Sequence, residues 1–169
     1  MTAPRAPKPG RGPRTSRAPR TTKARAIGLL ARREYSRAEL SDKLVAGGAT
    51  REEIPPLLDE LAALGYLSDD RYARAVVRQK SAGWSRRAIA GTLKAAGVDG
   101  ETASAAVASS EADDHATLVA LWRRRFGRAP VDEREKARQV RFLQSRGFSL
   151  SAIFRLLRAP PDDDEAGSV

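Results

Sequence analysis

Three copies of one short pattern constrain the fold of this chain more than any other feature. In each copy an aromatic residue precedes a serine, at Tyr35-Ser36, Trp84-Ser85 and Phe148-Ser149. An apolar residue stands five positions after each aromatic and a leucine nine positions after it: Leu40, Ile89 and Ile153, then Leu44, Leu93 and Leu157. Serine is a preferred helix N-cap, and the spacing of the apolar residues is helical. The pattern therefore predicts one helix-turn-helix built three times.

Helical spacing also governs the segments between these copies. It predicts helices near 24–33, 37–47, 51–64, 69–82, 86–96, 100–109, 113–126, 132–146 and 150–158. The predicted core faces of the third and last helices are Leu57, Leu58, Leu61 and Leu64, and Leu150, Ile153, Phe154 and Leu157. Pro55-Pro56 should delay or kink the third helix, because proline has no backbone N–H to donate.

A three-helix unit of about 45 residues cannot bury its apolar face alone, and stacking of consecutive units solves that problem. The predicted fold is all-α, a tandem array of three three-helix repeats, elongated and curved. The predicted boundaries are a disordered basic arm at 1–25, repeats at 26–67, 68–111 and 112–159, and an acidic disordered tail at 160–169. Simple counting assigns 113–126 to the third repeat, whereas alignment of the aromatic–serine pairs makes it an inserted bridge.

The charge distribution favours an anionic partner. The net charge is +10, and residues 1–25 carry eight Lys or Arg with no acid. The arm could touch phosphates as a tether, or it could be a solubilising extension. Removing the arm and the four acids of residues 160–169 still leaves +6 for the body, since 10 − 8 + 4 = 6. Such an excess attracts nucleic acid through release of counterions.

Residues for catalysis or cofactor binding do not form a recognisable set. The chain has no cysteine, and His115 is its only histidine. Asp69-Asp70 and Asp113-Asp114 are better explained as acids at helix N-termini than as metal ligands. We therefore expect no enzyme, cofactor or metal. No apolar run reaches the roughly 20 residues of a membrane span, so we expect no membrane contact and a cytoplasmic location.

Basic residues fall in helical stripes. Arg71, Arg74 and Arg78 share one face of a predicted helix, opposite a small apolar face at Ala73, Val76 and Val77. Several such stripes without nearby acids suggest an anionic partner, although any single arginine can be a solvated surface residue. The candidate binding residues are Arg71, Arg74, Arg78, Arg86, Arg87, Arg138, Arg141 and Arg146. The aromatics at the turns are predicted to pack between helices rather than stack on bases.

Two segments resemble one known family. GYLSDDRYA at residues 65–73 is similar to the linker between the first two repeats of the RecX family, and RGFSLSAI at 146–153 is similar to the signature of its last repeat. The resemblance implies a non-enzymatic regulator that lies in the groove of the RecA recombinase filament and lowers its ATP hydrolysis and strand exchange. It also implies contact with single-stranded and possibly double-stranded DNA.

Two alternatives belong to other classes. One is a helix-turn-helix protein that inserts its second helix into the major groove of duplex DNA. The other is an interaction scaffold whose charge serves solubility. A monomer is the expected oligomeric state.

Overall fold

The structure is a computed structural model that describes residues 21–160. Most of the predicted arm and tail therefore lies outside the described residues. Within them the chain forms nine helices: α1 (Thr22–Leu30), α2 (Arg37–Ala46), α3 (Ile54–Ala63), α4 (Asp69–Lys80), α5 (Arg86–Ala95), α6 (Gly100–Ala108), α7 (Asp114–Arg125), α8 (Glu133–Ser145) and α9 (Leu150–Arg158). The predicted all-α class is confirmed.

The serine of each aromatic–serine pair begins a helix as predicted. The hydroxyls of Ser36, Ser85 and Ser149 accept the backbone N–H of Glu39, Ala88 and Ala152 at 3.0, 3.2 and 3.2 Å. Each bond satisfies one of the N–H groups that lack a partner in the first turn of a helix. Local capping therefore fixes the start of α2, α5 and α9.

The buried residues form three separate cores, each from three consecutive helices. The first unit is α1 to α3, the second is α4 to α6, and the third is α7 to α9. Leu118, Leu121 and Trp122 bring α7 into the third core, alongside Leu143 and Ile153. Helix α7 therefore belongs to the third unit, whose second helix, α8, begins at Asp132 and whose third helix, α9, begins at Ser149. The prediction of one helix-turn-helix built three times was wrong for the third copy, since Ser36 and Ser85 begin the second helices of their units.

Several local predictions were wrong. Helix α1 begins at Thr22, within the segment predicted to be disordered, because Thr21 caps it. Leu64, at the end of α3, is 56% exposed, and Leu150 and Phe154 on α9 are also exposed. The buried face of α9 is centred on Ile153 and Leu156 instead.

The proline pair acts as predicted. Helix α3 begins at Ile54, three residues after the predicted start at 51, and both prolines lie in its first turn. A first-turn proline is tolerated because its missing N–H would have no helical partner there. Ahead of this helix, Thr50 donates its backbone N–H to the Glu53 carboxylate.

Two similar junctions join the units. At the first junction, between the first and second units, the Ser36 hydroxyl donates to the Ala96 carbonyl at 2.6 Å. At the second junction, between the second and third units, the Ser85 hydroxyl donates to the Gly147 carbonyl at 2.8 Å. Ser36 and Ser85 are 0% and 2% exposed. Each serine therefore caps its own helix and bonds the next unit through one oxygen.

A carboxylate repeats at the same two junctions. Asp69, the first residue of α4, accepts the backbone N–H of Arg37 at 2.7 Å, and Asp114, the first residue of α7, accepts that of Arg86 at 2.8 Å. Each carboxylate thus lies at the N-termini of two helices from adjacent units, where negative charge is favoured.

Glycine permits the close approach at both junctions. Gly97 and Gly147 have φ of +76° and +89°. A Cβ on Gly97 would lie 2.6 Å from the Ala38 Cβ, and one on Gly147 would lie 2.4 Å from the Ala88 Cβ. At the start of the array, Gly48 has a similar φ of +91° with nothing within 4 Å of a Cβ, and Arg25 donates to the neighbouring Gly47 carbonyl.

Tyr72 makes the first junction sensitive to high pH. Its hydroxyl donates to Glu39 Oε1 at 2.9 Å, and burial together with this bond raises the pKa of Tyr72 to about 12 from 10.0. The neutral phenol is thus favoured in the folded state. As pH rises from 10 through about 12, the unfolded chain loses this proton first and stability falls.

Tyr72→Phe should remove this contribution to the pH dependence. We expect the free energy of unfolding to fall less between pH 10 and about 12 in the variant than in the parent protein. Urea unfolding followed by circular dichroism across that range measures the difference. Parallel losses in the two proteins would contradict the prediction.

Candidate nucleic-acid interface

The predicted stripe on α4 has the expected two faces. Arg71, Arg74 and Arg78 are exposed, and Ala73, Val76 and Val77 are buried in the second core. Arg71 pairs with Glu34 across the first junction at 3.0 Å, and Arg74 pairs with Asp70 at 3.0 Å. Much of the charge on this stripe is therefore matched within the chain, contrary to the prediction of a stripe without nearby acids.

Three further candidates differ in their surroundings. The Arg86 guanidinium is half-buried and donates to the Val107 carbonyl at 3.1 Å, at the end of α6. Arg87 and Arg141 are exposed. Arg86 thus stabilises the packing beside the second junction, whereas Arg87 and Arg141 are accessible to a partner.

The last two candidates, Arg138 and Arg146, join a larger set of alternating cations and aromatic rings. Arg146 lies 4.8 Å from the ring centroid of Trp84 and 5.2 Å from that of Phe142. Arg138 lies 5.9 Å from the ring of Phe126, and the two phenylalanines meet edge to face at 5.5 Å. These contacts connect both arginines through one continuous group of side chains.

Two cations outside the eight candidates complete the set. Lys80 lies 4.2 Å from the Trp84 ring, and Arg125 lies 5.8 Å from the rings of both Phe126 and Phe142. We call the whole group the cation–aromatic ribbon: Lys80, Trp84, Arg125, Phe126, Arg138, Phe142 and Arg146. It follows the surface from the end of α4 to α7 and α8, across the second junction.

The rings of the ribbon are half-buried rather than fully packed. Trp84, Phe126 and Phe142 each keep part of their surface accessible, whereas Tyr35 and Phe148, the other turn aromatics, are buried. The prediction of packing between helices is thus confirmed for Tyr35 and Phe148. Trp84 packs against the second core and also contacts two cations, whereas the buried Tyr35 contacts one, Arg33, at 3.7 Å from its ring centroid. The spacing of Arg138, Phe142 and Arg146, each four residues apart on one helix, is the signal that could have revealed the ribbon.

Within residues 21–160 no carboxylate forms an ion pair with a cation of the ribbon. Among residues 21–160, the ion pairs involve Lys23, Arg33, Arg37, Arg71, Arg74, Arg128 and Lys136. None of these is a ribbon cation. Four positive groups that are held by rings and have no acidic partner in the described part of the chain form a surface suited to an anionic chain.

The acidic residues serve helix ends as predicted. Asp113 caps α7, and the backbone N–H of Ala116 holds the pKa of that carboxyl below its usual range. Asp69 and Asp114 lie in first turns and also serve the junctions. Within the described part of the chain no group of three or more potential ligands could hold a metal ion, and no described helix is long and apolar enough to cross a membrane.

Fold and surface together define a class: a tandem array of helix-turn-helix-like units with a basic, aromatic-lined face. Family models for the first, second and third three-helix domains of RecX match residues 23–61, 68–107 and 112–157 in that order. The chain belongs to the RecX family.

Relatives and solved structures agree with this assignment. A protein of Chromobacterium violaceum named "Regulatory protein RecX" is 43% identical over 142 residues, which cover 84% of this chain and 92% of the relative. One of the same name from Pseudomonas entomophila is 44% identical over 78% of this chain and 86% of the relative. The crystal structure of RecX from Lactobacillus salivarius has the same fold, with a TM-score of 0.61 at 20% identity over 81% of this chain and 92% of that one.

Proposed function

We propose that this protein binds RecA–DNA filaments and inhibits the ATPase and strand exchange of the recombinase, and so modulates recombination and DNA repair. The observation that carries the proposal is the ordered match of all three RecX domains, shared with relatives named as regulatory proteins. We propose a non-enzymatic, monomeric, cytoplasmic regulator, with repeat boundaries at 26–67, 68–111 and 112–159.

The geometry supports binding along a filament. The two junctions use similar contacts, a serine hydroxyl on a carbonyl and a carboxylate on a backbone N–H, and stacked repeats of this kind can place basic groups from different units along a helical groove. A protein that binds one filament state better than another shifts the population toward that state. The eight candidate arginines remain the proposed contacts. Of those outside the ribbon, Arg78, Arg87 and Arg141 are exposed and have no ion-pair partner among residues 21–160.

The alternative function, in which the second helix of a helix-turn-helix enters the major groove of duplex DNA, is less favoured. The N-termini of α2 and α5, which would meet the bases, are occupied at the junctions by Asp69 and Asp114. Sequence readout in the major groove needs those residues free.

The test is the DNA-dependent ATPase of RecA with and without this protein. We expect inhibition at a ratio well below one molecule of this protein per RecA subunit. The reason is that loss of a few contacts between filament subunits affects many subunits of the same filament. Tight, sequence-selective duplex binding with no change in the ATPase would instead support the repressor-like alternative.

A charge-reversal variant tests the proposed contacts. Arg78→Glu, Arg87→Glu and Arg141→Glu together should weaken filament binding at least tenfold and flatten its dependence on salt, because each lost phosphate contact lowers the salt slope by about 0.9. The matched control reverses the exposed Arg32, Arg51 and Arg158. Equal binding by the two folded variants would remove the basis for the assignment.

A further inference from the structure

We infer that the cation–aromatic ribbon binds single-stranded DNA, with phosphates on its cations and unpaired bases against its rings. The inference rests on the proposed function, since a regulator of RecA–DNA filaments works close to single-stranded DNA. It adds to that function a defined binding site. The structural basis of the inference is that positive side chains and aromatic rings alternate without a gap across the second junction.

The order of the side chains is the first argument. Contacts run from Lys80 through Trp84, Arg146, Phe142, Arg125 and Phe126 to Arg138, at 4.2 to 5.9 Å per link between cation and ring. Surfaces that bind single strands without sequence preference combine a basic track with rings for stacking. The ribbon supplies both along one path.

Charge is the second argument. The ribbon gathers four cations near one another without a carboxylate partner among the described residues. On α4, by contrast, Arg71 and Arg74 each have an acid within ion-pair distance. Like charges held close together repel one another, so a bound polyanion relieves more repulsion at the ribbon than at the α4 stripe, and we expect it to bind the ribbon more strongly.

Orientation is the third argument. The second junction fixes Trp84 relative to α8, because the Ser85 N–H donates to the Arg146 carbonyl at 3.0 Å. The guanidinium of Arg146 then lies near rings from two units, Trp84 and Phe142. A pre-ordered cation loses less conformational entropy when it binds a phosphate.

Single strands are favoured over duplex because of the rings. A duplex keeps its bases stacked inside and offers this surface only phosphates, whereas a single strand can add base stacking on partly exposed Trp84, Phe126 and Phe142. A lysine- and arginine-rich surface without rings would show no such preference.

The experiment measures binding of the isolated full-length protein to labelled oligothymidylate, oligouridylate and a mixed-sequence duplex, without RecA. Arg125→Gln with Arg138→Gln should weaken oligothymidylate binding about tenfold and reduce the salt slope by about 1.4, at about 0.7 per contact. The control is Arg32→Gln with Arg51→Gln, which removes the same charge from exposed sites outside the ribbon. Equal weakening by the two double variants overturns the inference.

Trp84→Leu tests the stacking part. It should weaken oligothymidylate binding about tenfold while duplex affinity stays within about twofold. Equal loss on both DNAs would overturn base stacking. Because Trp84 also packs against the second core, its thermal unfolding is measured as well, and the exposed arginine variant gives an independent answer if the tryptophan variant unfolds. Tighter binding to oligouridylate or to an acidic peptide than to oligothymidylate would also overturn the assignment to DNA.

The outcomes separate this inference from the proposed function. A parent protein that inhibits RecA but does not bind oligothymidylate would overturn the ribbon site and leave the proposed function standing. Direct binding that the arginine variant loses, in a protein without effect on RecA, would support the ribbon and overturn the proposed function.

Discussion

Gly147→Ala is expected to lower the free energy of unfolding by about 3 to 5 kcal/mol and to loosen the third unit from the second. The φ of +89° at this residue is unfavourable for any residue with a Cβ, and the new Cβ would lie 2.4 Å from the Ala88 Cβ and 2.6 Å from the Ser85 Oγ. One of these groups has to move, and either movement breaks the second junction.

Gly48→Ala is the matched control. Its φ is +91°, and nothing lies within 4 Å of the position of a Cβ. We expect a loss of about 1 to 2 kcal/mol, from backbone strain alone. Urea unfolding of both variants, followed by circular dichroism, measures the difference. Similar losses in the two would show that the close approach at the second junction does not limit stability.

Ser85→Ala and Ser36→Ala are expected to lower the free energy of unfolding by about 2 to 4 kcal/mol each. Each substitution removes a helix cap, which costs about 1 kcal/mol, and leaves a carbonyl of the adjacent unit without its donor, which costs a further 1 to 3 kcal/mol when that group is buried. The carbonyls concerned are those of Gly147 and Ala96.

The third copy of the pattern provides the internal control. Ser149 caps α9 but is exposed, and its hydroxyl meets only the Ser151 hydroxyl at 3.1 Å besides the capped N–H. Ser149→Ala should therefore cost about 1 kcal/mol, the value of a cap alone. If all three serine variants lost the same stability, the bonds between units would contribute nothing beyond capping.

The elements that could be predicted from the sequence are those set by local chemistry. The starts of α2, α5 and α9 follow from a serine ahead of helically spaced apolar residues, and the late start of α3 follows from Pro55-Pro56. Both depend on residues within one or two helical turns. The rotation of α9 could not be predicted in the same way, because Leu150 and Leu156 compete for the core and only packing against α7 and α8 decides between them.

The contacts at the junctions and across the ribbon could not be predicted from local sequence, because they join residues far apart in the chain. Ser36 meets Ala96 and Ser85 meets Gly147 across about sixty residues of chain, so no spacing rule connects them. The same holds for Trp84 and Arg146. Two of the four ribbon cations, Arg138 and Arg146, are among the candidates from the sequence, whereas Lys80 and Arg125 are not. Arg125 contacts Phe142 on a different helix, and spacing along the chain does not reveal that contact.

The two ends of the array show how a repeat protein can specify its own length. At the beginning, the carbonyl of Gly47, which corresponds to that of Ala96, accepts the side chain of Arg25. At the end, the position that corresponds to Ser36 and Ser85 is Asp132, whose carboxylate caps α8 by accepting the backbone N–H of Glu135 at 2.6 Å and has no hydroxyl to donate. A further copy would therefore have to displace Arg25 at one end and would meet no serine hydroxyl at the other, so neither end offers the bond that joins the units.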